Sequence, residues 1–166
     1  TGSGPGALRR VHRALVLRAL FQQPGVDRSA LARQIGLSAM GIGRIVRELE
    51  EAGLLIELSA GTSGRGRPAA GLALNADGTY VVGAVISAYA REVHLVNLHG
   101  QSVAHCVLEL SDVTHGPSAV DCTCNAIEGL ISDAGIPASK VRAVGFAISA
   151  NVDSARGLVV GGGYLG

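Results

Sequence analysis

Ala32, Gly36 and Ile42 restrict the folding of this chain more than any other residues. They stand at helix-turn-helix spacing. A small residue lets two helices approach, a glycine takes φ > 0 in the turn, and a branched apolar side chain of the second helix fills the space between them. The second helix is expected to start at Ser38, whose oxygen can accept a free N–H of the first turn. Ile42, Ile45, Val46, Leu49 and Ala52 then fall at helical spacing on one apolar face. Arg44 and Arg47 lie off that face, and Gly53 reads as an αL stop. Taken alone, the stretch is equally an ordinary amphipathic helix, so its neighbours have to decide.

Those neighbours favour the motif. Asp27 is a good N-cap for a helix over Arg28–Ile35, with Leu31, Ile35 and Ile45 completing a small core. Before it, Ala7–Phe21 reads as a first helix. Leu8, Val11, Leu15, Leu17, Leu20 and Phe21 are its expected apolar positions, with Arg9, Arg10, Arg13 and Arg18 largely outside them. Gln22-Gln23-Pro24-Gly25 ends it. After the second helix of the motif, Leu54–Leu58 suits a strand and Ala70–Leu74 its return. Between them lies a turn-rich tip containing Gly64-Arg65-Gly66-Arg67-Pro68. Two strands with a basic tip after such a helix make a wing. Arginines there suit a narrow, electronegative minor groove, although a solvated loop kept soluble by its arginines would read the same.

Charge supports a division into two modules. Residues 1–70 hold ten arginines and five carboxylates, net +5, whereas residues 71–166 hold four basic and eight acidic residues, net −4. A basic first part implies a polyanionic partner. Asn75-Ala76-Asp77-Gly78 is the expected boundary, giving modules at 1–75 and 76–166. Beyond it the pattern changes to strands over Thr79–Ala88, Glu92–Leu98 and Ser102–Leu110. A helix follows over Pro117–Ala134, with Val120, Cys124, Ile127, Leu130 and Ile131 as its buried stripe. Strands over Val141–Ile148 and Leu158–Val160 complete the reading. Hairpins followed by a helical crossover indicate an α/β layer with a mixed sheet.

Few residues carry other chemistry. Cys106, Cys122 and Cys124 make no disulfide framework. A zinc site needs about four converging ligands, so Cys122 and Cys124 read as structural thiols, with Cys124 turned to the core. His12, His94, His99, His105 and His115 show no metal-binding spacing and read as surface or satisfied core residues. Gly161-Gly162-Gly163 begins no recognisable helix and is a weak phosphate-loop candidate. No apolar run suggests a membrane span or a secretion signal, and the cytoplasm is the expected location. The opening Thr-Gly-Ser-Gly-Pro-Gly reads as a flexible lead-in or a trimmed terminus.

The succession of motifs resembles the ROK family of bacterial transcriptional repressors and sugar kinases. It runs from the helix-turn-helix through Gly-Arg-Gly-Arg-Pro-Ala and Leu-Ala-Leu-Asn to Tyr80-Val81-Val82-Gly83 opening a hairpin. The regulator branch, of the N-acetylglucosamine and xylose repressor type, carries such an N-terminal domain. The resemblance implies a winged helix-turn-helix followed by the first lobe of an actin-like, ribonuclease-H-like sugar-kinase fold, α/β overall. In the family's kinases the first hairpin bears Asp-x-Gly-x-Thr. Val85, Ser87 and Tyr89 stand at those positions here. A second family loop, Pro-Gly-Pro-Val-Asp, is Ser149-Ala150-Asn151-Val152-Asp153. Both departures argue against nucleotide binding. The family's catalytic Asn-Asp pair, Cys-rich zinc site and second lobe have no counterpart in these residues, so about one lobe is expected.

The expected function is therefore a sequence-specific, DNA-binding transcriptional regulator of carbohydrate-related genes, with no enzymatic activity, cofactor or metal. Its expected partners are double-stranded DNA and a second copy of the chain, with a sugar or sugar-phosphate effector as a further family trait. Ser38, Ala39, Met40, Gly43, Arg44 and Arg47 on the recognition helix and Arg65 and Arg67 on the wing are the expected DNA contacts. Arg9, Arg10, Arg13, Arg28 and Arg33 are expected at phosphates, which position a protein without reading sequence. Gly41 and Gly43 stand where hydroxyl residues are usual, implying either closer backbone approach or a softened helix. The rivals are an ATP-dependent sugar kinase and a ligand-binding or dimerisation module that no longer reads DNA.

Overall fold

The computed structural model describes residues 5–58, 71–87, 90–109 and 116–160. Two compact units divide the chain, Thr1–Gly78 and Thr79–Gly166.

The first unit runs α1 (Pro5–Gln22), α2 (Arg28–Ile35), α3 (Ala39–Glu51), β1 (Leu55–Leu58) and β2 (Gly71–Leu74). Asp27 caps α2, its carboxylate accepting from the Ser29 and Ala30 amides at 2.8 Å each. Gly36 ends the helix in the left-handed region at φ 76°, and both its amide and that of Leu37 donate to the Ala32 carbonyl. Only a residue without a Cβ takes this conformation cheaply. The core gathers Val16 and Leu20 of α1, Leu31 of α2, Ile42, Val46 and Leu49 of α3, and Leu72 of β2, all fully buried.

β1 and β2 pair antiparallel, from Leu55 opposite Leu74 to Leu58 opposite Gly71. A third segment joins them. The Gly25 amide donates to the Leu72 carbonyl at 2.8 Å, and the Leu72 amide to Val26 at 3.0 Å. A Cβ on Gly71 would come within 2.7 Å of the Gly25 carbonyl oxygen, so this crossing needs glycine at 71. Asn75 Nδ2 donates to the Gly53 carbonyl at 2.8 Å. That bond ties the turn after β2 back to the end of α3, and the first unit reaches Gly78.

Three expectations for this unit need correction. Leu8, Val11, Leu15 and Phe21 are exposed, while Val16, Ala19 and Leu20 are buried. Apolar residues occur on several sides of α1, and α2, α3 and β2 select the side that is covered. Ala52 is exposed and caps α3 instead of extending its apolar face. α1 runs from Pro5 to Gln22, longer than the expected Ala7–Phe21 at both ends.

The second unit holds a four-stranded mixed sheet ordered β5-β4-β3-β6. The strands are β3 (Tyr80–Ile86), β4 (Arg91–Asn97), β5 (Ser102–Val107) and β6 (Val141–Ile148). β3 pairs antiparallel with β4 and parallel with β6, which is reached through α4 (Gly116–Asp133). Tyr80, Val82, Ala84, Val93 and Leu95 form the buried side of the sheet beneath Ile127 and Leu130 of α4. Thr123 is also buried on α4, at 1% exposure, whereas Cys124 is exposed. The expectation for Cys124 is thus corrected. Thr123, Ile127 and Leu130 follow i, i+4, i+7, and Cys124 lies about 100° round the helix from Thr123. Cys122 instead packs at the margin of this core beside Cys106. Burial pushes the Cys106 thiol up from its ordinary value, with the neighbouring Cys122 adding to the effect. A short hairpin, β7 (Val152–Asp153) with β8 (Leu158–Val159), ends the described residues; the sequence suggested the second of these strands but not the first. Gly161, Gly162 and Gly163 lie outside the described residues.

Candidate nucleic-acid interface

The chemistry of the first unit is concentrated on the outer side of α3. Ser38 has extended backbone angles, and its hydroxyl accepts from the Gly41 amide at 3.1 Å. This fixes the first turn. Ile42, Ile45, Val46 and Leu49 turn inward. Ala39, Met40, Arg44 and Arg47 are left exposed, with Gly43 between them. The two interior glycines do not break the helix, which is continuous from Ala39 to Glu51.

The arginines differ in their commitments. Glu48 collects two of them. Arg9 Nε donates to Glu48 Oε2 at 3.0 Å, and its Nη2 makes a closer contact with Oε1. Arg44 Nε lies 3.4 Å from Glu48 Oε1 while keeping 71% of its side chain exposed. The hydrogen bond from Arg9 holds the Glu48 carboxyl below its ordinary range, with the charges of Arg9, Arg44 and Arg13 assisting against partial desolvation. Arg28 is gripped by two carboxylates, Glu50 at 3.0 Å and Glu57 at 2.7 Å, and so links α2, α3 and β1. Arg47 makes no hydrogen bond or ion pair among the described residues. Arg10 and Arg33 are exposed, and Arg13 is half-buried. Arg65 and Arg67, expected on the wing, lie outside the described residues.

A groove of about 410 Å³ runs between α1 and the start of α3. Leu8, His12, Leu37 and Met40 supply its apolar lining, and Arg9 and Arg44 its charge. Sequence reasoning missed Glu48, because its partner Arg9 is 39 residues away. It also missed the Val26 bridge, because a single paired residue leaves no periodic signal.

In the second unit His94 lies on the sheet face opposite α4. Its ring nitrogens meet Ser102 Oγ and Glu92 Oε2 at 2.9 Å each, and the ring stacks on His105 at 5.5 Å between centroids. Among the described residues no three His, Cys, Asp or Glu side chains are grouped to hold a metal ion.

Residues 13–56 match a family profile described as winged helix-turn-helix DNA-binding, which covers α1 from Arg13 onward, α2, α3 and the start of β1. The structure superimposes on a crystal structure described as a ROK family transcriptional regulator, a homolog of the E. coli MLC protein. The TM-score is 0.70 at 21% identity over 96% of this chain. The chain therefore shares the fold of that crystal structure over nearly its whole length. The chain is also similar to y4fQ of Sinorhizobium fredii, a protein of uncharacterized function, at 25% identity over 145 residues. It spans 36% of the length of y4fQ and 42% of the superimposed regulator. The winged helix-turn-helix and the mixed sheet are the two parts expected from the sequence. Among the described residues, no helix is long and apolar enough to cross a membrane.

Proposed function

We propose that this chain acts as a DNA-binding transcriptional regulator in the cytoplasm, with α3 entering the major groove of double-stranded DNA. The observation that carries this reading is the outward face of α3 within a winged helix-turn-helix match: Arg47 unpaired among the described residues, Arg44 largely exposed, and Ser38 fixing the first turn. Helix-turn-helix units lay the N-terminal part of their second helix against base edges. Arg44 and Arg47 are the proposed polar readers, and Arg9, Arg10, Arg13 and Arg33 the proposed phosphate contacts. Arg28 is a further proposed phosphate contact, one that would exchange Glu50 and Glu57 for the DNA. Arg65 and Arg67 remain proposed minor-groove contacts from the wing. A homodimer on a two-fold site, repression of carbohydrate-related genes and a sugar or sugar-phosphate effector complete the reading.

A sugar-kinase activity is disfavoured by how Ser87 and Asp153 of the two family loops are used. The Ser87 hydroxyl accepts from the Ala90 amide at 2.9 Å and lies 3.1 Å from its carbonyl, closing the β3–β4 turn. Asp153 accepts from the Ala155 and Arg156 amides at 3.0 and 3.1 Å, closing the β7–β8 turn. Both side chains serve local turns.

The test is fluorescence anisotropy of the full chain on labelled duplex DNA across a salt titration. Neutralised phosphates release counterions, so log affinity is expected to fall linearly with log salt. Affinity independent of salt would overturn the reading. ATP turnover on glucose or N-acetylglucosamine would restore the kinase.

A further inference from the structure

Met40 is 87% exposed, more than any other large apolar side chain among the described residues. It occupies the second position of α3, in the turn that Ser38 holds. Met40, Gly43 and Arg47 follow i, i+3, i+7 and share one stripe of the helix. Between the two large residues, a Cβ on Gly43 would meet nothing within 4 Å. The stripe is therefore a thioether, a notch and a guanidinium with no salt-bridge partner among the described residues.

The core of the unit makes no use of this thioether. Ile42, Ile45, Val46 and Leu49 already close the inner face of the helix. Every base pair presents hydrogen-bonding atoms to the major groove, and thymine adds an apolar 5-methyl group beside its O4 acceptor. We propose that Met40 reads a thymine 5-methyl group, which makes it a specificity-determining residue for the DNA-binding function. This rests on the DNA-binding reading above. Charge complementarity selects the occupant. Arg44 and Arg47 flank Met40 on the same side, which attracts a polyanion and repels a second copy of the same face. Seven residues of helix separate Met40 from Arg47 by roughly 10 Å, or about three base-pair steps. Arginine pairs best with the O6 and N7 edge of guanine. The site read by α3 thus holds a thymine and a guanine at that spacing.

The experiment uses the full chain. Duplexes retained from a random-sequence pool are sequenced, and each thymine of the selected site is replaced by deoxyuridine, which removes the methyl group alone. One thymine per half-site is expected to lose about fourfold in affinity on replacement, the size of one buried methyl group. Met40→Ala, at an exposed position, should bind the thymine and deoxyuridine duplexes alike. Arg47→Ala should weaken both while keeping their ratio. The proposal is overturned if no thymine is sensitive, or if Met40→Ala keeps the wild-type ratio. Met40→Ala keeping the ratio while changing the sedimentation behaviour assigns the side chain to a contact between copies and also overturns it. Failure to retain any duplex would sink the DNA-binding reading itself, and this inference with it.

Discussion

Ile42 and Phe146 are both large apolar side chains near the middle of a regular element, yet Ile42 is 0% exposed and Phe146 52%. Ile42 sits on a helix approached by α1, α2 and β1, so the inner apolar row of Ile42, Ile45, Val46 and Leu49 is covered. Phe146 lies on β6, beside Ala84 in the parallel ladder. Ala84 is buried, but α4 lies over β4 and β5, toward the edge of the sheet away from β6. Val144, next to Val82 in the same register, is likewise 46% exposed. Apolar content therefore does not decide burial here. The number of directions from which other elements arrive does. The first unit closes around its helices, and the second presents one apolar edge.

Unfolding by urea can break that contrast. Ile42→Ala is expected to cost about 2–5 kcal/mol, because it empties a space that the helix pair cannot collapse. Phe146→Ala should cost under about 1 kcal/mol, the range of surface substitutions. An equal cost at both positions would mean that something covers β6 in solution. Next in size is Arg47→Ala, which should lose about 1–3 kcal/mol of DNA affinity with the unfolding midpoint unchanged. A shifted midpoint would place Arg47 in the packing of the first unit. Glycine substitutions sharpen the comparison within the helix-turn-helix. Gly36→Ala, at φ 76°, should destabilise by about 1–2 kcal/mol. Gly43→Ala should stabilise by about 0.5–1 kcal/mol, since the added Cβ enters open space. If Gly43→Ala also weakens DNA binding, the glycine serves close approach. The smallest effect concerns Glu48. Its carboxyl titrates lower in the folded protein than in the unfolded chain, so its contribution is complete above about pH 4.5 and is lost as the pH falls through the folded value. Thermal melts from pH 6 to roughly pH 3 should show Glu48→Gln with a flatter acid limb than the wild type. Parallel limbs would remove Arg9 and Glu48 from the acid response.

The architecture was legible in the sequence where one periodic signal dominated. The four apolar residues Ile42, Ile45, Val46 and Leu49 of α3, the Gly36 turn and the Asp27 and Ser38 caps could all be assigned from local chemistry. On α1 several apolar rows compete, and only tertiary packing chooses Val16, Ala19 and Leu20. On α4 the same ambiguity favoured a cysteine over Thr123. The outward residues of α3 were legible because they lie off its apolar face. The pairings Arg9–Glu48 and Arg28–Glu50 were not, since residues 39 and 22 apart in sequence carry no mark of their neighbour.

Glu48 has one further consequence. A carboxylate that already grips Arg9 and Arg44 is an internal rival of the DNA phosphate. When such an arginine moves to the duplex, a cation leaves the DNA atmosphere, but the abandoned carboxylate draws another from the buffer. The two exchanges offset each other in the ion count. The salt dependence of binding therefore counts fewer ions than there are arginines at the duplex, and Glu48→Gln should steepen it.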